Sequence, residues 1–464
     1  MRRGVMAGLV LLIVLPLAVP ALAAPADVPR ARPTWQVETG QEAVIDVSGN
    51  GQYAGVLADR GEDWRSGRTL TLLGGDGERR WEHAFPQPEQ VWSVVVTNDG
   101  DAFCGYVRWG STPLPEPDAA AAGAYRFSPS GGLLWKTNWA GKAGFRPWDR
   151  VVGVAKGPSG FRVLVAESDF ESITSAAVIA HDGKVLSKFN ARGSGVFDRL
   201  ALAPDGSYIL CSARDRLVGR RLDFSEIWHR DGLTLPLEGR PMSADGNWIL
   251  AQGVGPFITP KWDNESGRLA GSLPQMYSGE AFGWAVLNGI GKPQWGYGAY
   301  QVTFDQEGLQ YGYTGDLLRD VEGRSVDQAW IGGRGGSHRV LMVEGLRRTL
   351  LGAGPVGNRP MRELLHFSLP PLSSEFDETA LSADGTRVAC LAITPGAEDT
   401  YAADLTVFDG DGKPVWASLP GSLVKRGAKG RDAHLFLSDD GRFVLLHWAN
   451  TLLAFSEPRA AATP

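Results

Sequence analysis

Cysteine is scarce in this chain of 464 residues, which contains three cysteines, seven histidines and six methionines. So few cysteines exclude a disulfide-rich scaffold. The histidines show neither the His-x-x-x-His nor the His-Glu-x-x-His spacing, which argues against a zinc enzyme. An excess of positive charge is also lacking, because 46 basic residues face 52 acidic ones for a net charge of −6. The composition therefore gives no electrostatic reason to expect nucleic acid or an anionic membrane as a partner.

Long apolar runs are rare as well. One run from Leu9 to Val19 follows Met1-Arg2-Arg3 and precedes Ala21-Leu22-Ala23, which is the order of a secretory signal. The run is shorter than the ~20 residues that a membrane span needs, and prolines interrupt it, although an uncleaved anchor is the alternative. We therefore expect residues 1–23 to be a signal peptide and the processed chain to be periplasmic or secreted.

An odd number of cysteines is unusual for an exported chain, in which thiols generally pair. Two of the cysteines lie five residues after the glycine of an Asp-Gly turn, inside short apolar runs. The same offset elsewhere holds valine, alanine or leucine, which indicates that a small buried apolar side chain is required there. We expect all three thiols to be buried and unpaired, with a disulfide or a reactive site as the alternative. The residues concerned are Cys104, Cys211 and Cys390, and the equivalents of the last two are Val56, Ala251 and Leu446.

Glycine is abundant, with 60 residues, and much of it lies in a repeat. Each repeat has a short apolar strand, an Asp-Gly-like turn and a second apolar strand, which predicts a β-hairpin because glycine tolerates the positive φ of the turn. The repeats recur about every 56 residues, a period typical of propeller blades with loop insertions rather than of helical solenoids. The eight turn glycines are Gly51, Gly100, Gly160, Gly206, Gly246, Gly308, Gly385 and Gly441.

A second hairpin follows each of these, so that each unit has four strands. A tryptophan stands four residues after the glycine of the second turn in several units, and a large aromatic at one fixed position of the outermost strand can dock on the next unit. Packing between blades is therefore the expected role, with ligand stacking as the alternative. The tryptophans are Trp81, Trp135, Trp295 and Trp416, and Trp228 holds a similar place after a degenerate turn.

The N-terminal strand can supply the strand that the last unit lacks. The last unit has strands near residues 434–438, 442–448 and 451–456 but no fourth strand, whereas residues 33–38 form an isolated strand. Pairing that strand with the last unit closes the ring and removes exposed edges. We predict an all-β chain with a single β-propeller of about eight four-stranded blades over residues 33–457, seven being the alternative count. Residues 24–32 are expected to be a linker and residues 458–464 a disordered tail.

Two segments carry a family resemblance. Gly-Lys-Pro-Gln-Trp at 291–295 and Gly-Lys-Pro-Val-Trp at 412–416 resemble the tryptophan-docking motif of quinoprotein-like, pyrroloquinoline-quinone-type β-propeller repeats. The Asp-Gly hairpins are similar to WD40-like repeats of exported bacterial proteins. This resemblance implies a fold and does not fix a function. Catalytic members pair adjacent cysteines near the quinone and hold calcium beside it, and this sequence has no such pair, so no cofactor is expected.

Other candidate sites are weak. The segment Asp409-Gly-Asp411-Gly412 looks like the start of a calcium loop, but its twelfth position is Pro420 where a bidentate glutamate is required, so we predict a hairpin turn and no metal site. The glycine-rich residues 332–336 lack the lysine of a phosphate-binding loop and are expected to form a flexible loop. Two carboxylate pairs are conceivable acid–base pairs acting on a glycan, although solvated carboxylates are expected. These pairs are Asp169 with Glu171 and Asp377 with Glu378.

Two long segments, residues 111–123 and 354–375, are candidates for contact with a partner because irregular segments on rigid scaffolds often bind. The sequence therefore predicts an exported, non-enzymatic β-propeller that acts as a monomeric binding or scaffold module for a protein partner. The alternative is a quinone-dependent dehydrogenase or a hydrolase with its site on the propeller axis. No catalytic or cofactor-binding residue is singled out.

Overall fold

A computed structural model describes the chain in segments. These are residues 27–39, 43–60, 67–86, 89–108, 122–140, 148–168, 173–190, 197–213, 216–231, 233–235, 238–246, 248–253, 262–263, 268–269, 283–288, 293–298, 300–304, 309–313, 328–334, 337–344, 347–352, 362–368, 379–395, 400–426 and 433–458. This part of the chain contains no helix, and hence none that is long and apolar enough to cross a membrane. The predicted signal peptide and most of the predicted tail lie outside it.

The described strands form eight sheets of at least four strands, which follow one another along the chain. Two short strands precede them, β1 (Arg30–Ala31) and β2 (Trp35–Glu38). Blade 1 contains β3 (Val44–Val47), β4 (Tyr53–Asp59), β5 (Arg68–Gly74) and β6 (Arg79–Ala84). Blade 2 contains β7 (Glu89–Val96), β8 (Ala102–Arg108), β9 (Ala122–Phe127) and β10 (Leu133–Ala140). Blade 3 contains β11 (Trp148–Gly157), β12 (Gly160–Ser168), β13 (Ile173–Ala180) and β14 (Val185–Asn190). Blade 4 contains β15 (Arg199–Leu202), β16 (Ile209–Ala213), β17 (Arg216–Arg220) and β18 (Glu226–Asp231).

The second half of the ring is less regular. Blade 5 contains β19 (Leu233–Thr234), β21 (Trp248–Gly253), β24 (Gly283–Asn288) and β25 (Pro293–Gly298). Blade 6 contains β20 (Glu238–Arg240), β28 (Gln328–Arg334), β29 (Ser337–Glu344), β30 (Arg347–Gly352) and β31 (Arg362–Ser368). Blade 7 contains β32 (Thr379–Leu381), β33 (Arg387–Pro395), β34 (Thr400–Asp409), β35 (Pro414–Ser418) and β36 (Val424–Arg426). Blade 8 contains β37 (Ala433–Leu437), β38 (Phe443–Trp448) and β39 (Thr451–Ser456).

The hydrophobic core lies between neighbouring blades. Leu57 and Leu70 of blade 1 pack with Tyr125 of blade 2, and the same kind of cluster joins blades 2 to 3, 3 to 4, 4 to 5, 6 to 7 and 7 to 8. A further cluster joins Leu445 of blade 8 to Val56 of blade 1, so the last blade packs on the first. Apolar area buried in these gaps holds neighbouring blades together. The prediction of a single all-β propeller is confirmed.

Ring closure by the N-terminal strand is also confirmed. β2 pairs antiparallel with β39, with Trp35 opposite Ala454 and Glu38 opposite Thr451. β2 thereby becomes the fourth strand of blade 8. Within the segment that the sequence assigned to a linker, β1 pairs parallel with β35 and adds an outer strand to blade 7.

Two expectations about blades 5 and 6 are wrong. The hairpin around Gly308 joins β26 (Tyr300–Phe304) to β27 (Leu309–Tyr313), which form a separate two-stranded sheet, as do β22 (Trp262–Asp263) and β23 (Arg268–Leu269). The first hairpin of blade 6 instead spans the glycine-rich segment that was expected to be a flexible loop, since β28 reaches Arg334. Glycine is needed there because a Cβ on Gly332 would stand 2.4 Å from the backbone oxygen of Ser382 in blade 7.

The predicted inter-blade role of tryptophan is confirmed in three gaps. The indole N–H of Trp81 in blade 1 donates to the carbonyl of Pro129 in blade 2 at 3.0 Å, and its ring lies on Gly131, where a Cβ would stand 2.7 Å from the tryptophan Cγ. Glycine at the turn therefore serves two needs, a positive φ of 85° and space for the ring. The same docking joins Trp35 to the turn at Gly77 and Trp135 to the turn at Gly183.

Between blades 3 and 4, other residues take the places of both the tryptophan and the turn glycine. Blade 3 has Ser187 at the tryptophan position, and its hydroxyl donates to the carbonyl of Leu222 in blade 4. The facing turn has Phe224 instead of glycine, with φ of 64°, and its buried ring packs on Phe189 with the two ring centroids 5.6 Å apart. Glycine is thus absent where no tryptophan needs the space.

The three thiols are buried and none of them forms a disulfide, as predicted. Cys104, Cys211 and Cys390 are each fully buried and lie in three different blades. Burial raises the pKa of the Cys211 thiol to about 12 and raises the pKa of Cys104 further.

We expect no thiol of the native chain to react with a thiol-specific reagent at pH 8, because both access and thiolate are missing. Three thiols should react after denaturation in guanidinium. The measurement is a colorimetric thiol titration with and without denaturant. A fast-reacting native thiol would contradict the assignment of purely structural cysteines.

Candidate interaction face

The two faces of the ring differ in their connections. Hairpins that join the first strand to the second, and the third to the fourth, lie at one face, which we call the turn face. In blades 1–4, 7 and 8 these connections have two to six residues. The opposite face, which we call the loop face, carries the connections of seven or more residues except residues 235–247 and 353–361, and two of them have 29 residues. Most long connections are therefore on one side of a rigid ring.

Polar groups of the turn face are engaged within their own turns. In blade 8 the buried Ser438 hydroxyl donates to Asp440 at 2.7 Å and accepts the Phe443 N–H at 3.0 Å, while the Gly441 N–H donates to the Ser438 carbonyl. Blades 1, 5 and 7 repeat this arrangement around Ser48, Ser243 and Ser382. The serine two residues before the Asp or Asn is the organising residue that sequence reasoning missed, although its recurrence was readable in the sequence.

Neighbouring turns are also bonded to each other. The Asp384 N–H donates to the Asp439 carbonyl, and the Asp439 N–H donates to the Gly49 carbonyl, which links blades 7, 8 and 1. The calcium-like segment behaves as the predicted hairpin, because the Asp409 carboxylate accepts the N–H groups of Asp411 and Lys413, both at 2.9 Å. Saturated turns of this kind offer few free polar groups to a partner.

Blades 1 and 2 enclose a polar cluster that reaches the loop face. Glu89, only 2% exposed at the start of β7, accepts from the ammonium of Lys136 at 2.5 Å and from the Tyr125 hydroxyl. The Lys136 ammonium lies 4.9 Å from the ring centroid of Tyr106 and 5.0 Å from that of Tyr125. A desolvated carboxylate is tolerable here because a cation and a hydroxyl both face it.

A second ion pair lies beside this cluster. Asp59 at the end of β4 accepts from the Arg68 guanidinium at 2.7 Å, and Arg68 also donates to the Val91 carbonyl at 3.2 Å. The guanidinium stacks over Trp92 at 4.9 Å from the ring centroid. The loop-face ends of blades 1 and 2 are therefore fixed by charge pairs that hold the ends of the long connections in place.

The closing seam carries another polar cluster on the loop face. Thr39, just after β2, is 3.0 Å from the His447 Nε2, and the rings of His447 and His434 are stacked with centroids 5.9 Å apart. Burial, and then the neighbouring His434, lowers the pKa of His447 to about 4, so its ring is neutral near pH 7. Thr451 donates to Glu38 at 3.1 Å, which ties β2 to blade 8 by side chains as well as backbone.

One carboxyl of the inner wall has an unusual protonation equilibrium. Asp46, half-buried on β3, accepts the Val96 N–H of blade 2 at 2.7 Å. Burial raises the pKa of Asp46 to about 7, and the backbone hydrogen bonds from Val96 and Val47 oppose this shift. The folded chain consequently holds a proton on Asp46 at pH values where the unfolded chain has lost it.

Because the folded pKa lies above the unfolded one, Asp46 makes stability fall as pH rises from about 4 to about 7. We expect Asp46→Asn to remove this dependence and to raise stability at pH 8 by about 2 kcal/mol, since an amide oxygen still accepts the Val96 N–H without carrying charge. Thermal melts of both proteins at pH 5 and pH 8 test this. Equal gains at both pH values would contradict the role of ionisation.

An additional strand enters the central channel. β20 pairs parallel with β28, the innermost strand of the antiparallel part of blade 6, and so it lies on the channel side of that blade. It ends at Arg240, whose pKa is lowered by burial, while the carboxylates of Asp439 and Asp384 act in the opposite direction. A cation on the added strand of blade 6 therefore lies near the carboxylates of the turns of blades 7 and 8, and sequence reasoning gave no sign of it.

Several sequence-based candidates lie outside the described residues. They are both carboxylate pairs, nearly all of residues 111–123, and residues 354–375 apart from β31. Within the described segments, no group of three or more His, Cys, Asp or Glu side chains is arranged to hold a metal. The three cysteines occupy different blades, so they do not fit the adjacent pair that a catalytic quinoprotein places beside its quinone.

Comparisons with known proteins identify the fold. No protein-family model and no curated protein matches the sequence. Among solved structures, the WD40 domain of SCAP from fission yeast matches with a TM-score of 0.55 at 11% identity, covering 92% of this chain and 98% of that one. The C-terminal WD40 domain of Sif2 matches with a TM-score of 0.49 at 11% identity, covering 93% and 99%.

A third similar structure is the WD40 domain of Pan2 from Neurospora crassa, with a TM-score of 0.43 at 10% identity, covering 95% of this chain and 99% of that one. At these identities the likeness concerns the fold and not the activity. The likeness to the SCAP domain spans nearly the whole of both chains, and this chain has the β-propeller fold of that WD40 domain.

Proposed function

We propose that this chain is an exported interaction module that binds a protein partner through its loop face. The observation that carries the proposal is the asymmetry of the ring. The described turn-face hairpins are short and their polar groups bond within the turns, whereas most long connections leave from the loop face. Rigid scaffolds with long segments on one side are typical of binding proteins.

The loop face also has a rigid base. The largely buried Glu89–Lys136 and Asp59–Arg68 pairs fix strand ends from which loop-face connections leave. On the axis, β20 occupies the wall of the channel beside blade 6, which leaves less room there for a substrate. The loop face is therefore the better place for a partner than the channel.

Site-specific photocrosslinking in cells of the native organism tests the binding face. A photoreactive amino acid replaces Arg60 or His434, which are exposed on the loop face, and in matched controls it replaces Glu78 or Lys184, which are exposed on the turn face. We expect one protein to be crosslinked from both loop-face positions and from neither control. Crosslinks from the turn face alone, or none from either face, would overturn the proposal.

Export is tested separately by the N-terminal sequence of the chain isolated from its cells. Removal of the expected signal predicts a mature chain that begins at Ala24 and is recovered outside the cytoplasm. A chain that retains Met1 and stays in the cytoplasm would contradict the export part of the proposal without affecting the binding face.

A further inference from the structure

Three consecutive blades expose a large apolar side chain at the same position of the outermost strand. The position lies three residues after the positive-φ residue of the preceding turn, which is Gly131, Gly183 or Phe224. We call these three apolar residues the rim stripe. They are Leu134 on β10, Leu186 on β14 and Ile227 on β18, which are 51%, 46% and 48% exposed.

Blade 7 shows what covers this position elsewhere in the ring. Its equivalent residue is Val415 on β35, which is half-buried and packs on the core cluster that includes Ala31. β1 lies alongside β35, with Arg30 opposite Ala417 and Ala31 opposite Ser418. Ala31 is buried in the cluster on which Val415 packs, and Val28, just before β1, is 8% exposed, so the N-terminal segment covers this edge of its own chain.

The backbone of this added segment completes the edge of blade 7. The Ala417 N–H donates to the Pro29 carbonyl at 2.9 Å, and the Leu419 N–H donates to the Ala31 carbonyl at 2.8 Å. The backbone of Pro29 faces β35, and proline is tolerated there because it stands just before the first residue of β1 and the ladder uses only its carbonyl. An apolar residue followed by proline is therefore a suitable sequence for such an added strand.

In blade 1 the outermost strand carries charged side chains at this edge. Its equivalent residue is Arg80 on β6, which pairs with Asp76 at 2.6 Å, and its neighbour Arg79 pairs with Glu82 at 3.0 Å. Charged side chains on an edge strand discourage the addition of another strand. The rim stripe has no covering segment in the described part of the chain, since β10, β14 and β18 each end their sheets.

We propose that the rim stripe binds an extended segment of a partner protein, which adds as a parallel outer strand to β10, β14 or β18. The segment lies along the outermost strand as β1 lies along β35 in blade 7, and it places an apolar residue beside Leu134, Leu186 or Ile227. Backbone hydrogen bonds supply the register and the apolar contact supplies selectivity. This surface is separate from the loop face and does not depend on the function proposed for that face.

A peptide with the sequence of residues 26–33, Ala-Asp-Val-Pro-Arg-Ala-Arg-Pro, serves as the probe because it is the strand that already covers blade 7. Fluorescence anisotropy measures its binding to the full chain. The test variant combines Leu134→Lys, Leu186→Lys and Ile227→Lys, and the matched control is Val424→Lys, because Val424 is 52% exposed but lies off the stripe. We expect the control to bind like the wild type and the triple variant to bind at least tenfold more weakly.

A second probe separates strand addition from nonspecific apolar contact and does not depend on how the variants fold. The same peptide with an N-methyl group on the Ala31 nitrogen keeps its side chains but loses the backbone donor that faces β35 in the parallel pairing. We expect this peptide to bind the wild-type chain at least tenfold more weakly than the unmodified one. Equal binding of the two peptides, equal binding by the triple variant, or no binding of the unmodified peptide at millimolar concentration would overturn the proposal.

Discussion

A chain shortened to begin at Ala43 should lose its closed ring and melt about 10 °C or more below the chain that begins at residue 27. The deletion removes β2, whose Trp35 docks on the turn at Gly77 and whose backbone covers β39. Deleting a large aromatic from a packed site alone costs about 3–5 kcal/mol. The loss also exposes the edge of β39 for aggregation.

Two matched chains make this experiment specific. A chain that begins at Pro33 keeps β2 but lacks β1, and it should stay close to the reference because β1 contributes only a short outer strand. A permuted chain that begins at Ala43 and carries residues 33–39 after Glu457 through a short Gly-Ser link should recover most of the lost stability. β39 ends and β2 begins at the turn face, which is why a short link suffices. Equal melting of all four chains would rule out closure by β2 as a stabilising contact.

Gly131→Ala should destabilise the chain by about 3 kcal/mol, far more than a glycine substitution in an open turn. Two costs combine there, because an alanine at φ of 85° is strained and its Cβ would stand 2.7 Å from the Trp81 Cγ. The control is Gly421→Ala, where φ is 72° and nothing lies within 4 Å of the added Cβ. This control measures only the loss of stability from placing an alanine at a positive φ, which is about 1 kcal/mol. Denaturant unfolding of both variants measures the difference, which is the contribution of tryptophan docking.

The gap between blades 3 and 4 permits the reverse experiment. Phe224→Gly relieves a strained φ of 64° but leaves a cavity against Phe189, so we expect a net loss of about 2 kcal/mol. Ser187→Trp alone should clash with the Phe224 ring. The double variant should be more stable than the sum of the two single changes predicts, since it rebuilds the docking pair seen at Trp135 and Gly183. Strict additivity would contradict the view that turn glycine and tryptophan form one unit.

Much of the fold could be predicted from the sequence because each turn depends on a few neighbouring residues. Seven of the eight glycines singled out by their turns have positive φ, and Gly308 lies outside the described residues. Such a turn depends on a few consecutive residues, for example Ser438 to Phe443, so its signal is contained in a short window. The closing strand was readable for a similar reason, because one incomplete unit at each end leaves one way to finish the ring.

The candidate site was much less accessible. Glu89 meets Lys136 across 47 positions of sequence, and Thr39 meets His447 across 408. No local pattern marks these residues, and a turn such as Gly332–Gly336 looked flexible because its neighbour Ser382 in blade 7 is invisible in a short window. Pairings of this kind depend on the rotation from one blade to the next, which sequence spacing does not contain.

The amino-acid sequence by itself determined most strand hairpins, the burial of the three cysteines and the closing of the ring by residues 35–38. Only the tertiary structure decided which glycine supports a tryptophan, which strand enters the channel and which apolar residues face outward on the rim. Turn and strand preferences depend on residues a few positions apart, so a short stretch of sequence is enough to predict them. Contacts between blades arise only after the whole ring has set the distance and orientation of each sheet to its neighbour.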